Sequence, residues 1–523
     1  MRGMLAILML AAAPAGAQQP PPVDMTRVRA DVDFLCIPEL KGRVSLAPGA
    51  NIAAAYIRAE FARARLSAAA GNSYYQEFPL VEAVPLSPPQ SSLVLVTGGR
   101  RTVLQPGKDF RGSFGSDVRV TAPLVFAGYG ITAPEYRYDD YAGVNVRGKV
   151  AVVFNHEPRE ADPRSPFRGT GLTRHANIRP KVMNAAAHGA VALLLLSEPK
   201  SLHPALLATP QAGQPGVTRG FAPPQHDEIV PIPYLTLSDA AAATVLASTG
   251  KTPAEWQEAI DRDLKPHSLD VPGTSAEIDV RSGHQRGISY NVAALMPGSD
   301  PALAAETIIV NSHYDHLPNR GERYYPGAND NVSGTAAMLE LARLFAVSPT
   351  RTRRSVLFIS FGSEEEGLLG SYHYVEHPLR PLSSTLAVLN LDMIARDEAH
   401  VPATEGKLQI PADTSNLIDL VGGSYSPDLV RAIRQANETT RLELDEKYER
   451  DSTQNVLFRC DHFPFVYKGV PAIWIFGGFH PGYHESSDTP EHLNWTKLEK
   501  VIRLTWQTVW ELDKGSKPAF VQK

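Results

Sequence analysis

The chain has 523 residues, of which 43% are hydrophobic and 20% charged, and a formal net charge of -5. That length exceeds one ordinary domain, and that balance belongs to a globular protein rather than a disordered or fibrous one. The net charge is acidic and no long basic run accompanies it, which argues against nucleic acid and anionic membrane surfaces as partners.

The chain opens as an export signal: Arg2, an apolar stretch over 3–13, then Ala15-Gly16-Ala17, whose small residues suit signal peptidase. Cleavage is expected after Ala17, which leaves an extended tail at 18–24 and a periplasmic or secreted protein. The apolar run is much shorter than the roughly 20 residues a membrane-spanning helix needs, and no later segment is long enough, so no membrane partner is expected after cleavage.

Two helices fit 32–66, where Ala53, Ile57, Phe61 and Ala64 recur at three-to-four spacing and a Gly/Pro break falls between Gly42 and Gly49. Short β-rich runs follow at 92–96, 124–127 and 150–154, then a helix over 182–188 and an apolar strand over 190–196, which together read as a compact α/β insert. A strand over 232–237 and a helix over 240–247 come next, and 266–287 reads as a connector. Beyond it, the runs 307–310, 356–361, 386–391 and 472–476 are apolar without alternation, which predicts strands buried on both faces of a largely parallel sheet. Helices separate them, one over 332–345 and a last one with Leu498, Val501, Ile502, Thr505 and Val509 on one face and Asn494 placed to cap it. The two cysteines, Cys36 and Cys460, have nothing in the sequence to bring them together; the fold cannot depend on disulfides, and zinc thiolate sites are excluded.

In an open α/β sheet the ligand crevice lies beyond the carboxyl ends of the strands. His313 follows the first apolar run, Glu364 and Glu365 the second, Asp392 ends the third and His484 follows the fourth after a Gly-rich loop. Asp330 sits just before the helix that begins near Val332. Imidazole and carboxylate donors without thiolates suit zinc with a position left for water. Five ligands are too many for one open zinc. With one carboxylate shared they divide into two three-ligand sites, and metals about 3.5 to 4 Å apart clamp an attacking hydroxide and a carbonyl oxygen. Glu364, beside Glu365, is then the candidate base. His316 and His480 are rival ligands that spacing alone does not separate from His313 and His484. Asp461 and His462 read equally as pocket lining or as a structural pair, and Asp139-Asp140 as a turn rather than a calcium site.

The segments Ser312-His313-Tyr314-Asp315, 326–334, 363–371, Asn390-Leu391-Asp392-Met393 and 483–490 resemble the co-catalytic two-zinc aminopeptidase family, to which glutamate carboxypeptidase II also belongs. The resemblance implies an α/β fold: a mostly parallel mixed sheet flanked by helices, with the catalytic domain at 25–115 and 263–515 and a tail at 516–523. It implies two zinc ions, one on His313 and Asp392, the other on Glu365 and His484, with Asp330 bridging, and it favours His313 and His484 over their rivals. Asp315 would orient a ligand, Glu364 would carry a proton from water to the leaving amine, and Tyr483 would hydrogen-bond the oxyanion. The family also places a cis peptide after the bridging aspartate, and Asp488 is expected to cap or orient the loop after His484. The runs 125–131, 139–141, 148–150 and 185–196 resemble a protease-associated domain, assigned here to 116–262, which in relatives covers the cleft and restricts substrate size.

The expected activity is removal of N-terminal residues from peptides. Rivals on the same scaffold are a carboxypeptidase or dipeptidase, and a glutaminyl cyclase with a single zinc. A receptor-like binding protein is the rival of another class, disfavoured because every ligand is present. The sequence carries no signal for an oligomeric state.

Overall fold

The computed structural model describes residues 21–522 apart from 88, 113, 208–219, 225–226 and 403. The expected export signal and its cleavage after Ala17 lie outside the described residues. Among the described residues, no helix is long and apolar enough to cross a membrane.

The four apolar runs form the strands Thr307–His313, Ser355–Phe361, Thr385–Leu391 and Ala472–Phe476, and every residue in them is buried. They pair in parallel, the first strand lying between the second and third and the fourth beside the third. Continuous Val, Ile and Leu suit strands covered on both faces. The sheet has ten strands in all, and its flanks are mixed. Ser282–Met296 runs antiparallel to Ser355–Phe361 and to Tyr75–Pro85, and Leu417–Val421 runs antiparallel to Ala472–Phe476.

One face of the sheet packs on the helices Met25–Leu35, Pro48–Arg63, Gly334–Val347 and Trp495–Lys514, whose Val32, Ile57, Leu341 and Val501 share one core cluster. The spacing of these side chains puts one apolar stripe of each helix on the sheet. Asn494 caps the last helix, its side-chain oxygen accepting the Lys497 N–H. Arg343 ties this layer together, donating to both oxygens of Asp31 at 2.6 and 2.8 Å and to Glu60 at 2.9 Å. The other face packs on Leu369–Glu376 and His462–Tyr467 through Tyr372, Tyr374 and Phe465. Cys36 and Cys460 are both free and buried.

A second sheet of eight strands contains Val118–Phe126, Val150–Phe154, Ala192–Leu196 and Tyr234–Leu237, the expected insert. It also reaches outside 116–262, taking in Ser92–Thr97, Arg100–Leu104 and Leu269–Val280. The expected connector at 266–287 is corrected by the structure: it consists of two long strands, Leu269–Val280 in the second sheet and Ser282–Met296 in the first. Pro272-Gly273 reads as a break in the sequence, and in the structure the strand register shifts there, between Asp270 and Ser275. Past the shift the period is two, with Ala276, Ile278 and Val280 buried in alternation.

Candidate metal centre

All the acidic and imidazole groups singled out at the strand ends meet in one crevice beyond the carboxyl ends of the parallel strands. His313 is the last residue of its strand, and Asp392 directly follows Thr385–Leu391. Asp330 is carried by a tight 328–333 turn before Gly334–Val347, and the Asp330–Asn331 peptide bond is cis, as the resemblance implies. Gly327 enters this turn at φ 56°, where an added Cβ would stand 2.2 Å from the Asp330 carbonyl oxygen, so only glycine fits. Asn331 pins the turn to the third strand, its amide donating to the Leu391 carbonyl at 2.9 Å. Arg43, fully buried, donates to the carbonyls of Tyr314 and Pro326 at 2.7 and 2.8 Å and so braces the loops that carry His313 and Asp330.

The two oxygens of Asp330 face different partners. Oδ1 lies 3.4 Å from His313 Nε2, which is also 3.5 Å from Asp392 Oδ1. Oδ2 lies 3.1 Å from His484 Nε2, which is also 3.2 Å from Glu365 Oε2. Donors held about 2.0–2.1 Å from a tetrahedral zinc stand about 3.3 Å from one another, and these four separations fit that spacing. His313 Nε2 and Asp392 Oδ1 are buried without a hydrogen-bond partner. Orphaned buried polar atoms are rare, and two that converge on carboxylates fit a cation between them. The all-nitrogen-and-oxygen set fits zinc in particular.

The electrostatics separate neighbouring carboxyls. Burial opposes ionisation of Glu365 and Asp330, but His484 and His316 bring Glu365 down to about 2, and His313 and His484 hold Asp330 well below the usual carboxylate range. Burial dominates at Glu364 instead; with Glu365, Asp461 and Asp392 adding repulsion, its carboxyl is pushed well above that range. Burial also works against the imidazolium of His484, yet Glu365 and Asp330 raise it to about 10.

Asp315 lies under both glutamates. Its carboxylate accepts the N–H of Glu364 at 3.0 Å and of Glu365 at 3.3 Å, while its backbone carbonyl, not its carboxylate, accepts His313 Nδ1–H at 3.2 Å. Tyr483 stacks on His484 with ring centroids 3.9 Å apart. Of the rival histidines, His480 is committed elsewhere, its Nδ1 accepting the Gly482 N–H and its Nε2 lying 3.0 Å from the Asn329 amide. His316 Nδ1 is 2.7 Å from Glu365 Oε1 and 4.0 Å from Asp330 Oδ2, so His316, Asp330 and Glu365 also make a group that could hold a metal ion, and His316 Nε2 is buried without a hydrogen-bond partner.

Sequence reading missed two contributors, Cys460 and Trp474, and gave Asp488 only the loop after His484. Asp488 Oδ2 accepts the N–H groups of Asn329 and Asp330 at 2.9 and 3.0 Å, so it orients the Asp330 loop as well as closing its own. Cys460 Sγ donates to Asp392 Oδ2 at 2.8 Å, and Trp474 Nε1 donates to the Asp392 carbonyl at 2.9 Å. Motif position is a signal for Asp488; nothing in sequence links Cys460 or Trp474 to Asp392. Asp461 accepts from Ser371, both it and His462 are fully buried, and neither lines the crevice, so of their two readings the structural one holds.

The crevice opens into a cavity of about 420 Å³, walled by Leu368, Met393, Phe458, Trp474 and Phe479, with Arg459 the cation among its lining residues. From the insert's helix Ile178–Ala187, Arg179 donates to the carbonyl of Gly367 at the cavity wall, at 3.1 Å, and lies over the Tyr372 ring.

A family model described as peptidase family M28 matches residues 291–509, and one described as PA domain matches 120–245. Aminopeptidase YwaD of Bacillus subtilis (strain 168) is 30% identical over 231 residues, which are 42% of this chain and 44% of that protein. The probable lipoprotein aminopeptidase LpqL of Mycobacterium tuberculosis is 28% identical over 233 residues, 40% of this chain and 43% of that protein. The matches thus span less than half the length of these curated relatives. A solved aminopeptidase from Aneurinibacillus sp. strain AM-1 aligns over 96% of this chain and 95% of its own at 21% identity, with a TM-score of 0.48.

Proposed function

We propose, from the premise that this chain belongs to peptidase family M28 and carries a PA domain, that it is a zinc exopeptidase removing N-terminal residues from peptides outside the cytoplasm. The observation that carries the reading is the division of Asp330, whose two oxygens face separate His–carboxylate pairs. His313 and Asp392 would hold one zinc, His484 and Glu365 the other, and Asp330 both. A bound zinc pair supplies Lewis acidity to the peptide carbonyl and lowers the pKa of water.

The remaining work falls to side chains. Glu364 accepts the proton of the attacking water and passes it to the departing amine; its carboxyl, pushed above the usual range, is suited to hold that proton between the two transfers. Asp315 fixes the backbone of both glutamates, so that Glu365 stays on the metal side while Glu364 is free to act. The Tyr483 hydroxyl stabilises the oxyanion. The apolar cavity wall receives one end of the peptide, and the insert, resting through Arg179 on the Gly367 loop, limits how much more can enter. Export is supported by the sequence of the first 17 residues and by the lipoprotein in the name of one relative.

Arg459 at the cavity favours a second reading, carboxypeptidase action, since a guanidinium there can pair with a C-terminal carboxylate. Amino-acid release from a panel of free, N-blocked and C-amidated peptides, with and without chelator, separates the two. Free and amidated peptides should be cut, blocked ones spared, and chelator should abolish release. Equal cleavage of blocked and free peptides would refute aminopeptidase action.

A further inference from the structure

A separate group of four ligand-type side chains lies in the second sheet's domain. Val150–Phe154 and Ala192–Leu196 are neighbouring parallel strands, with Phe154 opposite Leu196, so the loops leaving their carboxyl ends run side by side. The first loop carries His156 and Glu160, the second Glu198 and His203. His156 Nδ1 lies 3.3 Å from Glu160 Oε2 and 3.2 Å from Glu198 Oε1, and His203 Nε2 lies 3.7 Å from the same Glu160 oxygen. The two imidazole rings are 4.0 Å apart.

These four atoms are buried, and none has a hydrogen-bond partner. His156, Glu160 and Glu198 are 4%, 5% and 5% exposed, so water does not answer for them. Buried polar groups are ordinarily paired, so three within 4.8 Å of one another, on His156, Glu160 and His203, with Glu198 reaching His156, are a departure from ordinary packing. Lys181 is a nearby cation that favours the charged form of Glu198, but its hydrogen bonds go to the carbonyls of Tyr129 and His156.

The surroundings hold the donors in place. Glu160 Oε1 accepts from Ser201 Oγ at 2.9 Å and from the Leu202 N–H at 3.1 Å, which leaves Oε2 for the cluster. The Asn155 amide nitrogen is 3.1 Å from His156 Nε2 and fixes the ring; the same amide turned end for end would accept Nε2–H and leave Nδ1 as the free lone pair for a metal. His156, Glu160 and His203 supply three donors within 4.8 Å of one another and Glu198 stands 3.2 Å from His156, a nitrogen-and-oxygen set of the kind zinc takes; the roughly 3.3 Å donor spacing of a tetrahedral zinc matches the observed 3.2 and 3.3 Å, with the 3.7 Å contact slightly wide. Calcium and magnesium prefer more ligands, all oxygen.

We propose that His156, Glu160 and His203, with Glu198 beside His156, form a structural zinc site that clamps the two strand-end loops of the insert, apart from the Asp330 centre. It supplies no chemistry to the peptide; it fixes loops in the domain that restricts the cleft. The test is zinc per full-length chain by mass spectrometry after exhaustive dialysis, comparing wild type with the double variant His156→Ala, His203→Ala. The variant should hold one zinc fewer, melt at lower temperature and cleave a short peptide within about twofold of wild type. Equal zinc in the folded variant overturns the site. Should that variant fail to fold, Glu160→Gln with Glu198→Gln keeps the side-chain shapes and is read the same way. Independently, His313→Ala with His484→Ala, which disables the other centre, should still retain one zinc, and a chain without any would overturn the proposal.

Discussion

Glu364 and Glu365 are adjacent, and what faces each of them sets its behaviour. Two imidazoles hold Glu365 ionised, while burial and three other carboxyls push Glu364 toward its protonated form. Glu364→Gln removes the proton carrier without removing a donor from either His–carboxylate pair. It should keep the wild-type zinc content and lose about 10²–10⁴ in kcat, measured on one peptide substrate with metal counted on the same sample; near-normal turnover would take Glu364 out of the mechanism. His462 gives a prediction in stability. Burial lowers its imidazole to about 3, against about 6.5 in an unfolded chain, so the folded state binds the proton less well. Its contribution is therefore complete above pH of about 6.5 and is lost as pH falls toward 3. The melting-temperature difference between wild type and His462→Gln should shrink steadily over that window, and a difference independent of pH would contradict it. At this scale His313, Glu364, Glu365, Asp392 and His484 stand out in the sequence because each follows an apolar run, and Asp330 because it precedes a helix. Cys460 and Trp474 do not, since they act through neighbours that only the folded chain supplies, and His316 is visible there only as a rival ligand.

Elements were legible where one face or both faces are uniformly apolar. The four parallel strands and the last helix follow directly from composition, as does the cap at Asn494. Leu269–Val280 was obscured because Pro272-Gly273 falls inside it and only the register shift beyond Asp270 lets the strand continue. The helical layer depends on a polar contact no periodicity reveals. Arg343, on Gly334–Val347, carries the charge that neutralises Asp31 on the first helix and Glu60 on the second, all three being buried. Arg343→Ala would leave Asp31 without its cation in the interior and Glu60 with only the exposed Arg27 and Arg63, and should lower stability by about 3–5 kcal/mol, read by denaturant melts. A loss below about 1 kcal/mol would show that the three helices hold together through their apolar stripes alone.

At the scale of the whole molecule, the insert is joined to the main sheet by a paired stalk rather than by loops. The outgoing strand Tyr75–Pro85 and the returning strand Ser282–Met296 run antiparallel from Pro85 opposite Ser282 to Tyr75 opposite Val292. One residue beyond the stalk, Val280 already belongs to the second sheet. A base of this kind restricts hinge motion, so the insert's position is set by the stalk together with contacts to the main domain, among them Thr170 to the Arg450 carbonyl, the Arg174 N–H to the Tyr425 hydroxyl and Arg168 with Glu449. Arg179 makes another, donating to Gly367 and lying over Tyr372, both within the segment that begins with Glu364 and Glu365. If the insert limits peptide size, Arg179→Ala should leave kcat/KM for a dipeptide close to wild type and raise it severalfold for a long peptide, because the wall is loosened while the Asp330 centre is untouched. A proportional fall for both lengths would mean instead that Arg179 serves to position the Glu364 loop, and that the stalk and the other contacts fix the insert.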